Sequence, residues 1–208
     1  MVAGKEVYCF LLALPIAVAA CGAKAPEPGY IILSEEDGYE VREYAKYVVA
    51  EVTVTGTHRE ALYGGFRILF DYIDGNNAAR EKMEMTAPVT REKPQGPEKI
   101  PMTAPVILEG DGEVYVVAFV MPLAYRIDTL PRPGNARISF REVEGRKVAA
   151  LRFSWYATEK RVKEKKKTLE EHLARDGYRA TSTFRAAYYN PPWTLPFLRR
   201  NEILVDIE

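Results

Sequence analysis

An α+β fold made of two similar halves is predicted by three features of this sequence. Each half carries two strand-like stretches followed by one amphipathic helical stretch and then further strands. Each helical stretch stops at an Asp-Gly pair, Asp74-Gly75 in the first half and Asp176-Gly177 in the second. The halves also match in detail: Val41-Arg42-Glu43 corresponds to Phe140-Arg141-Glu142. The halves span about residues 38–122 and 136–208, within one domain of residues 30–208, and a pseudo-twofold relates them. Both helices are expected on one side of the sheets.

The elements follow in order. Residues 38–44 alternate apolar and polar, as a half-buried strand does. In residues 47–55, Val48, Ala50, Val52 and Val54 share one face. Only Ala45-Lys46 separates the two runs, which predicts that they pair antiparallel. Thr57 is placed to cap a helix, with Glu60 completing a capping box. Leu62, Phe66, Leu69 and Ile73 then recur at helical spacing. A second stripe on that helix holds Tyr63 and Phe70 beside Arg59 and Arg67. Residues 114–121 form a nearly continuous apolar run, which predicts a buried strand, and residues 125–135 read as a linker. Residues 136–143 and 148–155 repeat the opening strand pair across a Glu144-Gly145 turn. Ala149, Leu151, Phe153 and Trp155 fall on one side. Thr158 caps a second helix bearing Val162, Leu169 and Leu173. Strands at 181–189 and 202–207 close the chain around a Pro191-Pro192 loop.

Between the first helix and the buried strand lies a doubled pentapeptide, Met85-Thr86-Ala87-Pro88-Val89 and Met102-Thr103-Ala104-Pro105-Val106. Each proline fixes its own φ and drives the preceding alanine away from helix. Two extended arms are expected, at a sheet edge or bulge, packing Met and Val inward.

Residues 1–21 read as a signal peptide. The apolar run of residues 10–20 is too short for a mature spanning helix, and small residues precede Cys21. Val18-Ala19-Ala20-Cys21 resembles a bacterial lipobox, which implies lipidation at Cys21 and a membrane-anchored protein of the bacterial cell envelope. An ordinary exported protein or an uncleaved anchor is the alternative. Residues 22–29, rich in Pro and Gly, form a tether. The two cysteines, Cys9 and Cys21, both belong to the leader or its edge, so the body carries no disulfide and no thiol nucleophile. Lys plus Arg and Asp plus Glu balance at 29 each, which argues against a nucleic-acid partner.

This pattern resembles the SOUL family of haem-binding proteins. The residues that carry the resemblance are Tyr39-Glu40-Val41-Arg42-Glu43-Tyr44, the stretch ending in Tyr72-Ile73-Asp74-Gly75-Asn76-Asn77, both Met-Thr-Ala-Pro-Val copies, and Tyr189-Asn190-Pro191-Pro192 through Arg199-Arg200-Asn201-Glu202. The resemblance implies a distorted β-barrel of two pseudo-symmetric halves with two flanking helices, related to effector-binding domains of bacterial regulators. It further implies non-catalytic binding of haem or another tetrapyrrole in a hydrophobic cleft between the first helix and the loop before the last strand. Where some members carry a histidine proposed as a haem ligand, this sequence has Glu43, so that ligation does not carry over.

A tetrapyrrole needs apolar surface for its rings and cations for its propionates. The candidates for a small, planar, hydrophobic ligand are Arg59, Tyr63, Arg67, Phe70, Trp193, Leu195, Phe197, Arg199 and Arg200. His58 is the one candidate iron ligand near them; His172 lies on the charged second helix. The basic run at residues 159–167 is read as a solvated helix face, with an anionic lipid surface as the other possibility. No Gly-x-Ser-x-Gly elbow, His-Glu-x-x-His pair or phosphate-cradling glycine loop is present, so an enzyme is not expected. An envelope protein that keeps the fold for structural contacts is the alternative function, and a hydrolase or isomerase of a small hydrophobic substrate the third.

Overall fold

The computed structural model describes residues 25–78 and 97–208. The leader with Cys21, tether residues 22–24 and the first Met-Thr-Ala-Pro-Val copy lie outside the described residues.

Alternating sequence becomes strand at β1 (Tyr30–Glu36), β2 (Tyr39–Tyr44) and β3 (Tyr47–Thr55), followed by α1 (His58–Ile73) and β4 (Asn77–Ala78). After the undescribed segment come β5 (Val106–Asp111), β6 (Val114–Val120), β7 (Arg132–Pro133), β8 (Ser139–Val143) and β9 (Arg146–Phe153). Then follow α2 (Glu159–Asp176), β10 (Arg185–Tyr188) and β11 (Asn201–Asp206). Nine strands make one antiparallel sheet in the order β1-β2-β9-β11-β10-β5-β6-β3-β8, and β4 pairs with β7. The order is symmetric about the β10–β5 pair: β2 answers to β8, β9 to β3 and β11 to β6. This is the predicted duplication, built as a curled half-barrel with its two helices. Strand β1 was not foreseen; it adds an edge outside β2.

The predicted pairing of residues 38–44 with 47–55 does not form. Instead β2 pairs with β9 and β3 with β8, each half lending a strand to the other. The register runs unbroken through both corners, with Tyr44 opposite Arg146 and Tyr47 opposite Val143. A tight hairpin needs positive φ in its two-residue loop, and neither Ala45-Lys46 nor Glu144-Gly145 has it. Each link therefore bends one long strand from one part of the sheet to the next, and these bends curl the sheet.

Both helices pack on the convex face. The N-terminus of α1 carries the predicted capping box: Glu60 N–H donates to Thr57 Oγ1, and Thr57 N–H donates to Glu60 Oε2 at 2.9 Å. Ala61, Leu69, Tyr72 and Ile73 bury against Val52, Val117 and Phe119. Thr158 caps α2, Gly177 ends it with φ 81°, and Val162, Leu169 and Leu173 pack on Val41, Leu151 and Ile203. Gly65 lets α1 settle onto β6: a Cβ there would lie 2.4 Å from Val117 Cγ2.

The second pentapeptide copy departs from expectation. Met102 points outward, while Thr103 is buried and its hydroxyl donates to the Val120 carbonyl. Pro105 precedes not an edge but the central strand β5, one residue before its ladder begins, where a missing N–H costs no pairing. Trp155 also leaves the face predicted for it. Strand β9 ends at Phe153, and Trp155 takes φ 75°, which turns its ring outward.

Replacing Gly65 by Ala should lower stability by about 1–3 kcal/mol through overpacking. A urea midpoint unchanged from the parent would show that α1 can lift off Val117 without cost.

Candidate functional site

The outer face of α1 carries the stripe the sequence marks out. Arg59, Tyr63, Arg67 and Phe70 are all exposed. The Arg59 guanidinium lies 5.7 Å from the centre of the Tyr63 ring, and Phe70 stacks on the half-buried Phe66 with centroids 5.8 Å apart. Phe66 in turn meets Phe119 of the core, so the aromatic stripe is rooted in the fold. Arg67 makes no hydrogen bond or ion pair among the described residues.

The second group sits on the loop from Asn190 to Arg200. Trp193, Leu195, Phe197 and Leu198 are exposed, Trp193 at 83%. Such exposure needs a firm backbone beneath it. Arg199 donates through Nε to the Thr194 carbonyl at 2.9 Å and through an Nη to the Pro192 carbonyl, folding the loop over its own guanidinium. That guanidinium also lies 4.7 Å from the Tyr156 ring centre. Trp155 N–H donates to the Pro196 carbonyl at 2.8 Å, which zips the loop to the segment after β9. Asn201 Nδ2 donates to the Trp155 carbonyl, holding that residue in its left-handed conformation at a cost of about 1–2 kcal/mol for a residue with a Cβ. Arg199 thus serves the loop itself.

No hydrogen bond, ion pair or ring contact joins the α1 group to the loop group among the described residues. Tyr188, the residue before the loop neck, packs against the cores under both helices. Its Oη lies 3.1 Å from His58 Nε2. His58 is buried, and burial lowers its pKa, with Lys166 and Lys163 acting in the same direction against Glu159. It is therefore a neutral core histidine whose Nε2 is already engaged.

The neck of the loop rests on a buried polar network invisible to hydrophobic patterning. Arg42 on β2 and Glu202 on β11 are 1% and 0% exposed. They form a bidentate pair, Nη1–Oε2 at 2.8 Å and Nη2–Oε1 at 3.0 Å. Tyr189 Oη donates to Glu202 at 2.6 Å, and Arg200 reaches both Glu202 and Glu27. Arg200, proposed from sequence as a propionate partner, is thus committed inside the protein. Burial alone would raise the pKa of Glu202. The hydrogen bonds and charge of Arg42, with Tyr189 and Arg200, outweigh burial and lower it.

The concave face holds two shallow adjoining depressions, each with only about 10 Å³ of cavity volume. Tyr47, Ile107, Arg146 and Arg185 line both. None of the nine binding residues named from sequence lines either one. Arg146 Nη1 pairs with Asp206 at 2.8 Å, and its buried Nε has no hydrogen-bond partner among the described residues.

A duplicated β/α half-barrel with helices on its convex side defines a recognisable class of two-repeat module. A sequence model of the family described as SOUL heme-binding protein matches residues 25–97 and 90–206. The chain belongs to this family. The C-terminal domain of EcmrR shares the fold, with a TM-score of 0.56 and 11% identity over 86% of this chain and 98% of that one. EcmrR in its complex with DNA gives 0.54 and 11% over 82% and 57%. A structure described as a hydrolase from Listeria innocua gives 0.52 and 10% over 85% and 94%. At these identities the likeness is one of fold alone. No curated protein matches the chain.

Because folding lowers the Glu202 pKa, the pair stabilises fully above the unfolded carboxylate pKa of about 4.3 and less as pH falls below it. Glu202→Gln should cost about 3–5 kcal/mol near pH 7 by stranding Arg42. The gap between the urea midpoints of the two proteins should narrow as pH falls below about 4.3. A constant gap across pH would mean that the charge of Glu202 is not what Arg42 needs.

Proposed function

We propose that this protein binds haem or a related tetrapyrrole without turning it over, for carriage, buffering or sensing. The observation that carries the reading is the match of the SOUL heme-binding family model to both halves. The exposed apolar loop and the aromatic–basic face of α1 support it. Trp193, Leu195 and Phe197 supply ring-packing surface, as do Tyr63 and Phe70. Arg59 and Arg67 are the exposed cations suited to propionates. Glu43 is exposed on β2 and His58 is held by Tyr188, so the reading assigns affinity to ring packing and carboxylate pairing rather than to an axial nitrogen. The fit favours surface capture by rigid groups over enclosure in a deep cavity.

Titrating the protein with haemin should give a saturable Soret change at one-to-one stoichiometry, with quenching of Trp193 fluorescence. No saturable change, and no quenching by iron-free porphyrin, removes tetrapyrroles from the reading. Arg67→Glu combined with Trp193→Ala should weaken binding by about tenfold or more. Unchanged affinity would move the site to another surface.

We also infer export and lipid anchoring through Cys21, on the small residues before it and the Pro/Gly stretch after it. Cys21→Ser should release the protein from the membrane fraction; retention would refute the anchor. A structural role in the envelope is the second reading, favoured by Glu43 standing where some relatives carry a ligand histidine. It gains ground if the haemin titration fails.

A further inference from the structure

We infer that the paired loops carrying Trp155-Tyr156 and Trp193–Leu198 form a membrane-contact surface that seats the protein on a phospholipid bilayer. Six large apolar or aromatic side chains stand out from this one end of the molecule: Trp155, Tyr156, Trp193, Leu195, Phe197 and Leu198. A monomeric surface seldom concentrates such residues in one place without a partner. These two tryptophans are the only ones in the chain, and both are exposed, Trp155 at 49%.

Three observations favour lipid as the partner. The composition is Trp, Tyr, Phe and Leu, the set that suits the interface between headgroups and acyl chains. The surface is preformed: the Trp155–Pro196 and Asn201–Trp155 hydrogen bonds, with Arg199 folded under the loop, hold it in place. Trp155 keeps a left-handed backbone that presents its ring to the outside, and strain of this kind gathers where a displayed side chain has work to do.

The third observation is the place of Glu27 at the loop neck. Glu27 pairs with Arg200 at 2.9 Å, and Asn190 Oδ1 accepts from Arg200 N–H at 2.6 Å, so the chain is fixed at Glu27 to the neck of the Trp193 loop. The apolar run of residues 10–20 and Cys21 precede it in sequence. Five residues separate Cys21 from Glu27, so the six steps between them reach at most about 22 Å. Whatever holds the N-terminus at a membrane holds this end of the barrel close to the same membrane.

The surface shares Trp193, Leu195 and Phe197 with the proposed ligand site but does not depend on it. Full-length protein bound to phosphatidylethanolamine–phosphatidylglycerol vesicles, without haem, tests it. With brominated acyl chains in the vesicles, fluorescence from both tryptophans should be quenched and shifted to the blue. Trp155→Phe and Trp193→Phe separate the two signals. Phe197→Asp with Leu198→Asp should reduce lipid quenching by about tenfold or more while the protein stays on the vesicle through its N-terminus. Water-exposed emission from vesicle-bound protein, still open to acrylamide, overturns the inference. So does protection from acrylamide in cell membranes without lipid quenching, which would put a protein on this surface. A failed haemin titration alongside lipid quenching leaves the inference standing and removes only the tetrapyrrole reading.

Discussion

Arg42 and Glu202 lie 160 positions apart in sequence and meet with almost no access to water. Two buried charges are costly unless their bonding capacity is filled. Here Glu202 accepts from Arg42 twice, from Tyr189 and from Arg200, and Arg42 further reaches Glu40 and Tyr44. The Arg42 guanidinium stacks 4.5 Å from the Tyr30 ring centre, and that of Arg200 lies 3.8 Å from the Tyr189 ring centre. One network therefore fastens the edge strand β1, the exchanged strand β2, the last strand β11, the loop neck and the N-terminal segment. A fault in any member leaves a charge without a partner in low dielectric.

That fastening explains how the chain can show so much apolar surface on a loop. A floppy loop with Trp193 and Phe197 would fold back on itself. With Arg200 fixed at the neck and Arg199 bound to two loop carbonyls, the side chains stay displayed and lose little entropy on meeting a partner. The helices make a parallel division of labour. The inner face of α1 closes onto β6 through Gly65, while its outer face keeps Tyr63, Arg67 and Phe70 in solvent.

Local rules made much of this legible. The Thr57–Glu60 box, the Thr158 cap, the Asp-Gly stops and the core stripes are each written within one turn of helix, and each appears as written. The second stripe of α1 was legible too, since a solvated helix face has no need of Phe70. What escaped depends on partners distant in the chain. Pairing of β2 with β9 cannot be read from two strands that lie next to each other in sequence. Alternation puts Arg42 and Glu202 on the polar side of their strands, which suggests water. The curl of the sheet turns that side inward, so the polar side becomes an interior that needs its own bonds. His58 was misleading for a similar reason: its position at a helix start suggests exposure, but Tyr188 arrives from the other half to cover it.

The exchange of strands at the two corners bears on how the molecule comes into being. Strand β2 finds its inner partner only in β9, and β3 has β8 on its far side. A ribosome that has released the first half has released a helix and a three-strand patch, with two bent arms still waiting. Closure must await the second half, since Tyr44 and its partner Arg146 lie more than a hundred positions apart. Although gene duplication left two look-alike halves, neither is a self-sufficient unit, and one cut free should not behave as a small copy of the whole.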